Sequence, residues 1–149
     1  MKSIRALSFM PVVCAETGKR IGRVKSVNVD KKLLFVTGLW VMSGFGKSVF
    51  YPKESIQLLG KTAVVILGES RKDEEGEPFS LRRALNAAGE WTGVVTNALC
   101  DEESLSIQAL EWSRDVFSDL ARGRRTCRFY TVSEETGDAV IDEEREGSA

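Results

Sequence analysis

The feature that most constrains this chain is an internal repeat. Identical residues coincide, in the same order, at a displacement of 71 positions: Gly18 with Gly89, Gly22 with Gly93, Val24 with Val95, Asp30 with Asp101, Leu34 with Leu105, and Leu39 with Leu110. Beyond Leu110 the displacement grows to 76, which puts Ile56 on Val132 and Val64 on Val140. Each match is weak alone, but their common order indicates that one structural unit was duplicated.

The duplication divides the 149 residues into two domains, a linker and a tail. We assign residues 1–68 to a first domain, 69–77 to a charged linker, 78–142 to a second domain and 143–149 to an acidic tail. A domain of this size buries only about 60% of its unfolded surface. We therefore expect the two domains to pack against each other or against another copy.

Apolar residues in the first domain recur at the spacing of β-strands. The segments rich in β-branched and aromatic residues predict five strands: Met10–Cys14, Ile21–Val29, Leu33–Met42, Lys47–Tyr51 and Thr62–Leu67. Between Val24 and Val27 the apolar period slips from two residues to three, which predicts a β-bulge. Short strands with little helix favour an all-β fold of two tandem small antiparallel β-barrels.

The second domain is less regular. The segment 79–88 ends at Gly89 and fits either a helix with a glycine stop or a strand, and the repeat register favours the strand. The segment 115–122, which is followed by Gly123, predicts a short helical turn that carries the inserted residues. Large rings usually pack in a core, so Trp40, Trp91 and Trp112 are expected inside the domains or between them.

The N-terminus and the cysteines bear on location. Lys2 and Arg5 precede an apolar run over residues 6–15, as in a secretion signal, but Pro11 interrupts the run, and a first strand explains it better. No segment approaches the roughly 18–20 apolar residues of a membrane span. The three cysteines are scattered without a metal-binding or disulfide pattern. These features predict free, buried thiols in a cytoplasmic protein.

Several kinds of chemistry are excluded by composition. The chain has no histidine, so it lacks Ser-His-Asp and Cys-His catalysis and histidine-ligated metals. The segment 44–48 reads Gly-Phe-Gly-Lys-Ser but lacks the first glycine of a phosphate-binding loop, and it leads into a predicted strand. We interpret it as a hairpin turn. We expect no catalytic residue, no metal, no cofactor and no enzymatic activity.

Charge is distributed very unevenly. Residues 1–68 hold 11 basic and 3 acidic residues, whereas residues 69–149 hold 10 basic and 19 acidic residues. Candidate partner-binding residues are the basic side chains of one predicted strand and of the hairpin after it: Lys19, Arg20, Arg23, Lys25, Lys31 and Lys32. Glu90, Glu102 and Glu103 occupy the repeat positions of Lys19, Lys31 and Lys32, so the two copies oppose each other in charge.

Three interpretations of this pattern stay open. The two faces attract each other, within the chain or between copies in a homo-oligomer. Alternatively, the basic face meets an acidic protein or RNA, although it lacks the interleaved aromatics that stack on bases. The third alternative is an ordinary solvated strand face. Phe45, an aromatic between two glycines, either anchors a partner or packs back on its own domain.

A motif of the first domain consists of Gly18, Gly22 and Val24 in one strand, then Pro52 and Ile56 before a valine-rich strand. In these residues the first domain resembles the PRC-barrel family. That family includes the cytoplasmic domain of the photosynthetic reaction-centre H subunit and the C-terminal domain of the ribosomal maturation factor. The second domain keeps Gly89, Gly93 and Val95, but Arg128 stands where the proline would fall.

The resemblance implies two PRC-type barrels and a role in protein interaction or assembly, without known catalytic residues. We therefore expect a non-catalytic adaptor that binds a protein partner through the basic face and Phe45. The alternative is a ribosome- or RNA-associated factor that uses the same basic face.

Overall fold

The structure is a computed structural model, and it describes residues 1–44, 46–114 and 125–142. The described chain is mostly β, and its strands form two curled, half-barrel sheets. The all-β expectation is confirmed at this level. The predicted helical turn at 115–122, the acidic tail 143–149 and Phe45 lie outside the described residues.

The first sheet is built almost entirely from the first half of the chain. The elements in chain order are β1 (Lys2–Ser3), α1 (Ile4–Leu7), β2 (Pro11–Cys14), β3 (Arg20–Val29), β4 (Val36–Met42), β5 (Ser48–Pro52), a 3-10 turn (Lys53–Ser55), β6 (Ile56–Leu59), β7 (Val64–Ile66) and β8 (Glu77–Pro78). The strand order is β5-β4-β3-β2-β7-β6, and β8 also pairs with β3. Strands β2 and β7, the first and the last of the run β2–β7, are short neighbours that pair in parallel.

The second sheet repeats this order. Its elements are β9 (Arg82–Leu85), β10 (Trp91–Cys100), β11 (Ile107–Ser113), β12 (Arg125–Cys127), β13 (Tyr130–Val132) and β14 (Ala139–Ile141). The strands follow the order β12-β11-β10-β9-β14-β13, with β9 and β14 parallel, and β1 adds to β10. The segment 79–88 therefore contains a strand, as the repeat register predicted.

The register of the central strands is the same in both sheets. Strand β3 is irregular between Val24 and Ser26, and β10 is irregular between Val95 and Asn97, 71 residues later. The predicted β-bulge is thus present in both copies. The expected displacement of 76 near the end of the chain is wrong by one residue. Val64 pairs with β2 in the same way as Ala139 pairs with β9, so Ala139, and not Val140, is the counterpart of Val64. Bulges absorb such single residues, so identity alone could not fix this register.

Two glycines of the repeat occupy positions where a side chain does not fit. A Cβ added at Gly22 would overlap the carbonyl oxygen of Met42, and one added at Gly93 would overlap that of Ser113. Neighbouring strands approach closely here, as a tightly curled sheet requires. These glycines are set by backbone geometry, which explains why the repeat retains them.

The two sheets exchange their flanking segments. The N-terminal strand β1 pairs with β10 of the second sheet, while β8, which precedes the second half, pairs with β3 of the first. The hairpin tips are joined reciprocally: Val36 N–H donates to Leu105 O (2.9 Å), and Ile107 N–H donates to Leu34 O (2.8 Å). Each half therefore contributes to the other, and one continuous core contains buried residues of both.

A buried asparagine fastens each exchanged segment. Asn97 Nδ2 donates to Ser3 Oγ (2.6 Å), and its Oδ1 accepts from Arg5 N–H (3.1 Å), which holds the N-terminal segment on β10. Asn28 Nδ2 donates to the Glu74 carboxylate (2.8 Å), which holds the segment before β8 on the first sheet. The predicted linker 69–77 is thus docked along the first sheet, because its polar groups find partners there.

Three details differ from expectation. The apolar run 6–15 is not one strand, because α1 ends at Leu7 and the strand begins at Pro11. Trp112 is buried as expected, Trp40 is partly exposed, and Trp91 is 66% exposed. Cys100 and Cys127 are buried, whereas Cys14 is only half-buried.

Candidate protein-binding surface

Strand β3 presents a row of cations on the outer face of the first sheet. Arg20, Arg23 and Lys25 are exposed, and we call them the basic strand surface. Arg20 pairs with Val13 and Arg23 pairs with Pro11, so an irregularity between them puts both arginines on the same face. Val24 points the other way and is fully buried. The ten residues of β3 therefore place their charged side chains together on the outer face and apolar side chains such as Val24 in the core.

Within the described ranges, the cations of the basic strand surface have no acidic partner. Among the residues that the structure describes, no ion pair involves Arg20, Arg23 or Lys25. Arg23 Nη1 donates to the carbonyl oxygen of Phe9 (2.9 Å), which leaves its other N–H groups available. Three exposed cations on one strand face attract an anionic partner.

The remaining predicted basic residues divide between two places. Lys19 is exposed beside Arg20, whereas Lys31 and Lys32 lie at the hairpin after β3, roughly 20 Å from Lys25 at 3.3 Å per strand residue. Lys32 Nζ lies 3.8 Å from a carboxylate oxygen of Glu134 in the second half. Sequence proximity therefore overstated the cluster, because an extended strand separates its ends.

The expected attraction between the two halves takes a limited form. Lys32 pairs with Glu134 rather than with a glutamate at its own repeat position, and both side chains are exposed. The junction is held more by packing and by polar contacts such as Tyr130 Oη donating to Leu33 O (2.6 Å). Burial raises the pKa of Tyr130 to about 12, so this hydroxyl stays a donor at neutral pH.

An aromatic residue that sequence reasoning missed lies beside the basic strand surface. Phe9 is 68% exposed and has a φ of 64°, in the left-handed region that non-glycine residues rarely adopt. Its N–H donates to Val24 O (2.8 Å), and its carbonyl accepts from Arg23. The only sequence signal was an aromatic residue in an apolar run, and nothing there indicated exposure.

Two depressions adjoin the basic strand surface. One, of about 690 Å³, is lined by Arg20 and Arg23 from β3, by Met42 at the end of β4 and by Gly44 from the turn that follows. The other, of about 460 Å³, lies between the two halves, and we call it the junction groove. Its lining includes Arg5, Ser8, Lys25, Ser26, Leu81 and Thr96. Lys25 thus belongs to both the strand surface and the junction groove.

The docked linker limits the basic strand surface on one side. Glu74 accepts from Asn28 and from Trp40 Nε1 (2.7 Å), and these hydrogen bonds hold the pKa of its carboxyl below the usual range. Glu74 is therefore an anion at neutral pH, fixed over β3 and β4. A third, smaller hollow lies between Glu74 and Lys25.

The equivalent strand positions of the second half carry no charge. Trp91, Val94 and Thr96 follow Arg20, Arg23 and Lys25 by 71 residues, and Leu81 takes the place of Phe9. Trp91 is exposed, and its Nε1 donates to Gly93 O (2.7 Å). The same backbone thus presents cations in one half and apolar groups in the other.

Cysteine and acidic side chains can ligate a metal ion, and a cysteine thiol is reactive when its pKa is low. In the described ranges, no three Cys, Asp or Glu side chains lie close enough together to hold a metal ion. Desolvation raises the pKa of Cys100 to about 11, which keeps that thiol protonated and unreactive. Hydrogen bonds from Thr17 lower the pKa of Cys14.

No model of a protein family matches this chain, and no curated protein matches it either. Among the helices in the described ranges, none has the length and apolar character needed to cross a bilayer. The site must therefore be interpreted from its own geometry.

Proposed function

We propose that this protein is a non-catalytic adaptor that binds an acidic protein partner through the basic strand surface. The single observation that carries the proposal is the row formed by Arg20, Arg23 and Lys25, which face outward with no carboxylate paired to them among the described residues. Unpaired cations on a rigid strand suit electrostatic recognition of a protein surface.

We further propose that each sheet is a closed barrel of the PRC type and that the protein acts in the cytoplasm. The short connections between the two edge strands of each sheet support closure, because β5 leads into β6 through the 3-10 turn alone and β13 begins soon after β12 ends. The repeated glycine positions 22 and 93 support the PRC-type pattern.

The proposal is tested by capture from a host lysate with two charge-matched variants. Arg20→Glu/Lys25→Glu reverses the basic strand surface, whereas Lys31→Glu/Lys32→Glu makes the same change in charge at the hairpin. We expect the first variant to lose the partner proteins that the unaltered chain captures, while the second retains them. Equal capture by all three proteins would overturn the proposed surface.

An RNA- or ribosome-associated role is the alternative outcome of the same experiment. Ribonuclease treatment before capture should leave an adaptor's partners in place and should remove proteins that are held through RNA. RNA binding would also weaken steeply with added salt, because each neutralised phosphate releases counterions. Loss of all captured proteins after ribonuclease treatment would replace the adaptor proposal with the RNA alternative.

A further inference from the structure

We propose that Phe9 is the apolar anchor of the adaptor surface and that the junction groove receives an extended acidic segment of the partner. This inference rests on the proposed function. It adds the residues that contact the partner and the chemical groups that the partner presents. The occupant would carry carboxylates for the cations and an apolar side chain that covers the Phe9 ring.

The backbone at Phe9 is fixed in an uncommon conformation. Its φ of 64° is costly for a residue with a side chain, yet both its N–H and its carbonyl are hydrogen-bonded to β3. On either side, Leu7 is buried in the core, and Met10 O accepts from Val24 N–H (2.9 Å). The turn therefore cannot swing the ring inward without breaking these contacts.

The ring is consequently held out in water. Phe9 is 68% exposed, although a glycine would adopt the same turn without strain. An exposed aromatic group on a fixed backbone makes a strong anchor, because little backbone freedom is lost when a partner binds. A strained, rigid and exposed phenylalanine is thus better explained by contact with a partner than by packing within the chain.

The junction groove next to Phe9 has the donors that carboxylates require. Arg5 and Lys25 supply positive charge, and Ser8 and Ser26 supply hydroxyl groups. In the part of the chain that the structure describes, neither Arg5 nor Lys25 forms an ion pair. Leu81, which is 66% exposed at the far wall, adds a second apolar contact.

Charge favours an acidic peptide segment over a nucleic acid as the occupant. A nucleic acid places many phosphates along a site, and each needs a nearby cation. Among the described residues that line the junction groove, only Arg5 and Lys25 are charged, which is too few cations for a long polyanion. A short segment with a few carboxylates and an apolar residue matches two cations flanked by Phe9 and Leu81.

The test uses fluorescence anisotropy with the full-length chain and three defined probes. The first is a labelled peptide in which glutamates alternate with leucines. The second replaces its leucines with alanine, and the third is single-stranded oligouridine of equal charge. We expect the unaltered chain to prefer the glutamate–leucine peptide over both other probes.

Phe9→Gly is the decisive variant, because glycine accepts the positive φ and only the ring is lost. We expect the affinity for the glutamate–leucine peptide to fall about tenfold or more, as for loss of an interface anchor. The thermal midpoint should stay the same or rise, which a folding defect would not produce. Leu58→Ala, which trims another exposed apolar side chain on β6, should leave binding unchanged.

Failure of this inference is separable from failure of the proposed function. Equal binding by Phe9→Gly and the unaltered chain, together with loss in Arg20→Glu/Lys25→Glu, would refute the anchor and keep the adaptor surface. Absence of binding to either peptide would refute the groove's acidic occupant, whatever the lysate capture shows. If oligouridine binds as tightly as the glutamate–leucine peptide or more tightly, the acidic occupant is refuted and RNA replaces it.

Discussion

The two halves of this chain share a backbone and differ in what they present. Strands β3 and β10 have the same length, the same irregularities and the same close glycine contacts. On their outer faces, however, Arg20, Arg23 and Lys25 in the first half are matched by Trp91, Val94 and Thr96 in the second. Backbone geometry constrains the inner positions, whereas solvent-facing positions are free to diverge after duplication.

The halves also differ in how they hold the exchanged segments. Asn97 receives the N-terminal segment through a serine and a backbone N–H, whereas Asn28 receives the linker through the Glu74 carboxylate. The two asparagines are not at equivalent repeat positions. Both halves therefore share the exchange of a flanking segment, but different side chains hold that segment in each half.

The largest expected effect concerns the junction between the halves. Leu33 and Leu105 are buried in the shared core at the two hairpin tips, so Leu33→Ala and Leu105→Ala should each destabilise the protein by about 2–5 kcal/mol. Urea unfolding followed by fluorescence and circular dichroism should show one transition that shifts as a whole, because the core is continuous.

The control for these variants is Leu34→Ala, since Leu34 is exposed and its junction hydrogen bond uses only the backbone carbonyl. Its free energy of unfolding should change by less than about 0.5 kcal/mol. Two separate transitions, of which only one moves with each substitution, would break the comparison by showing that the halves fold independently.

A smaller effect is expected at the repeated glycines. Gly22→Ala and Gly93→Ala each force a methyl group against a carbonyl oxygen of the neighbouring strand, at a cost of about 1–3 kcal/mol. The two losses of unfolding free energy, measured in urea, should be similar because the contacts are equivalent. Gly44→Ala is the matched control, since a Cβ there meets no atom within 4 Å. Strongly unequal losses would mean that only one half is tightly curled.

The smallest expected effect is a dependence of stability on pH that arises in the second half. Asp138 accepts two hydrogen bonds from Arg83 (2.9 and 2.7 Å), and these hold the pKa of its carboxyl below the usual range. Its stabilisation is present above the unfolded pKa of about 3.9 and is lost as pH falls through the lower folded value. In the first half, the positions nearest in the repeat to Arg83 and Asp138 are occupied by Pro11 and Ala63, which carry no charge.

We therefore expect Asp138→Asn to flatten the decline of the urea midpoint below about pH 4. The control Glu134→Gln removes a carboxylate of an exposed ion pair and should leave that decline nearly unchanged. An acid profile of Asp138→Asn that superimposes on that of the unaltered chain would contradict the assignment.

The local pattern of apolar residues predicted much of the fold. The apolar alternation predicted β3 to within one residue, and the slip between Val24 and Val27 located its irregularity. The short strand β6 and the helical turn α1 were missed, because each is too brief for a periodic signal. Of the candidate site, sequence located Arg20, Arg23 and Lys25 but joined them to Lys31 and Lys32, which the strand holds apart.

The sequence alone determined the duplication, the all-β class and the positions that must be glycine, because these depend on local backbone geometry and on the period of apolar residues. Only the tertiary structure decided that β1 and β8 cross to the opposite sheets, that the linker docks along β3, and that Phe9 is held in solvent beside Arg23. Those outcomes depend on contacts between residues far apart in the chain, which no local pattern encodes.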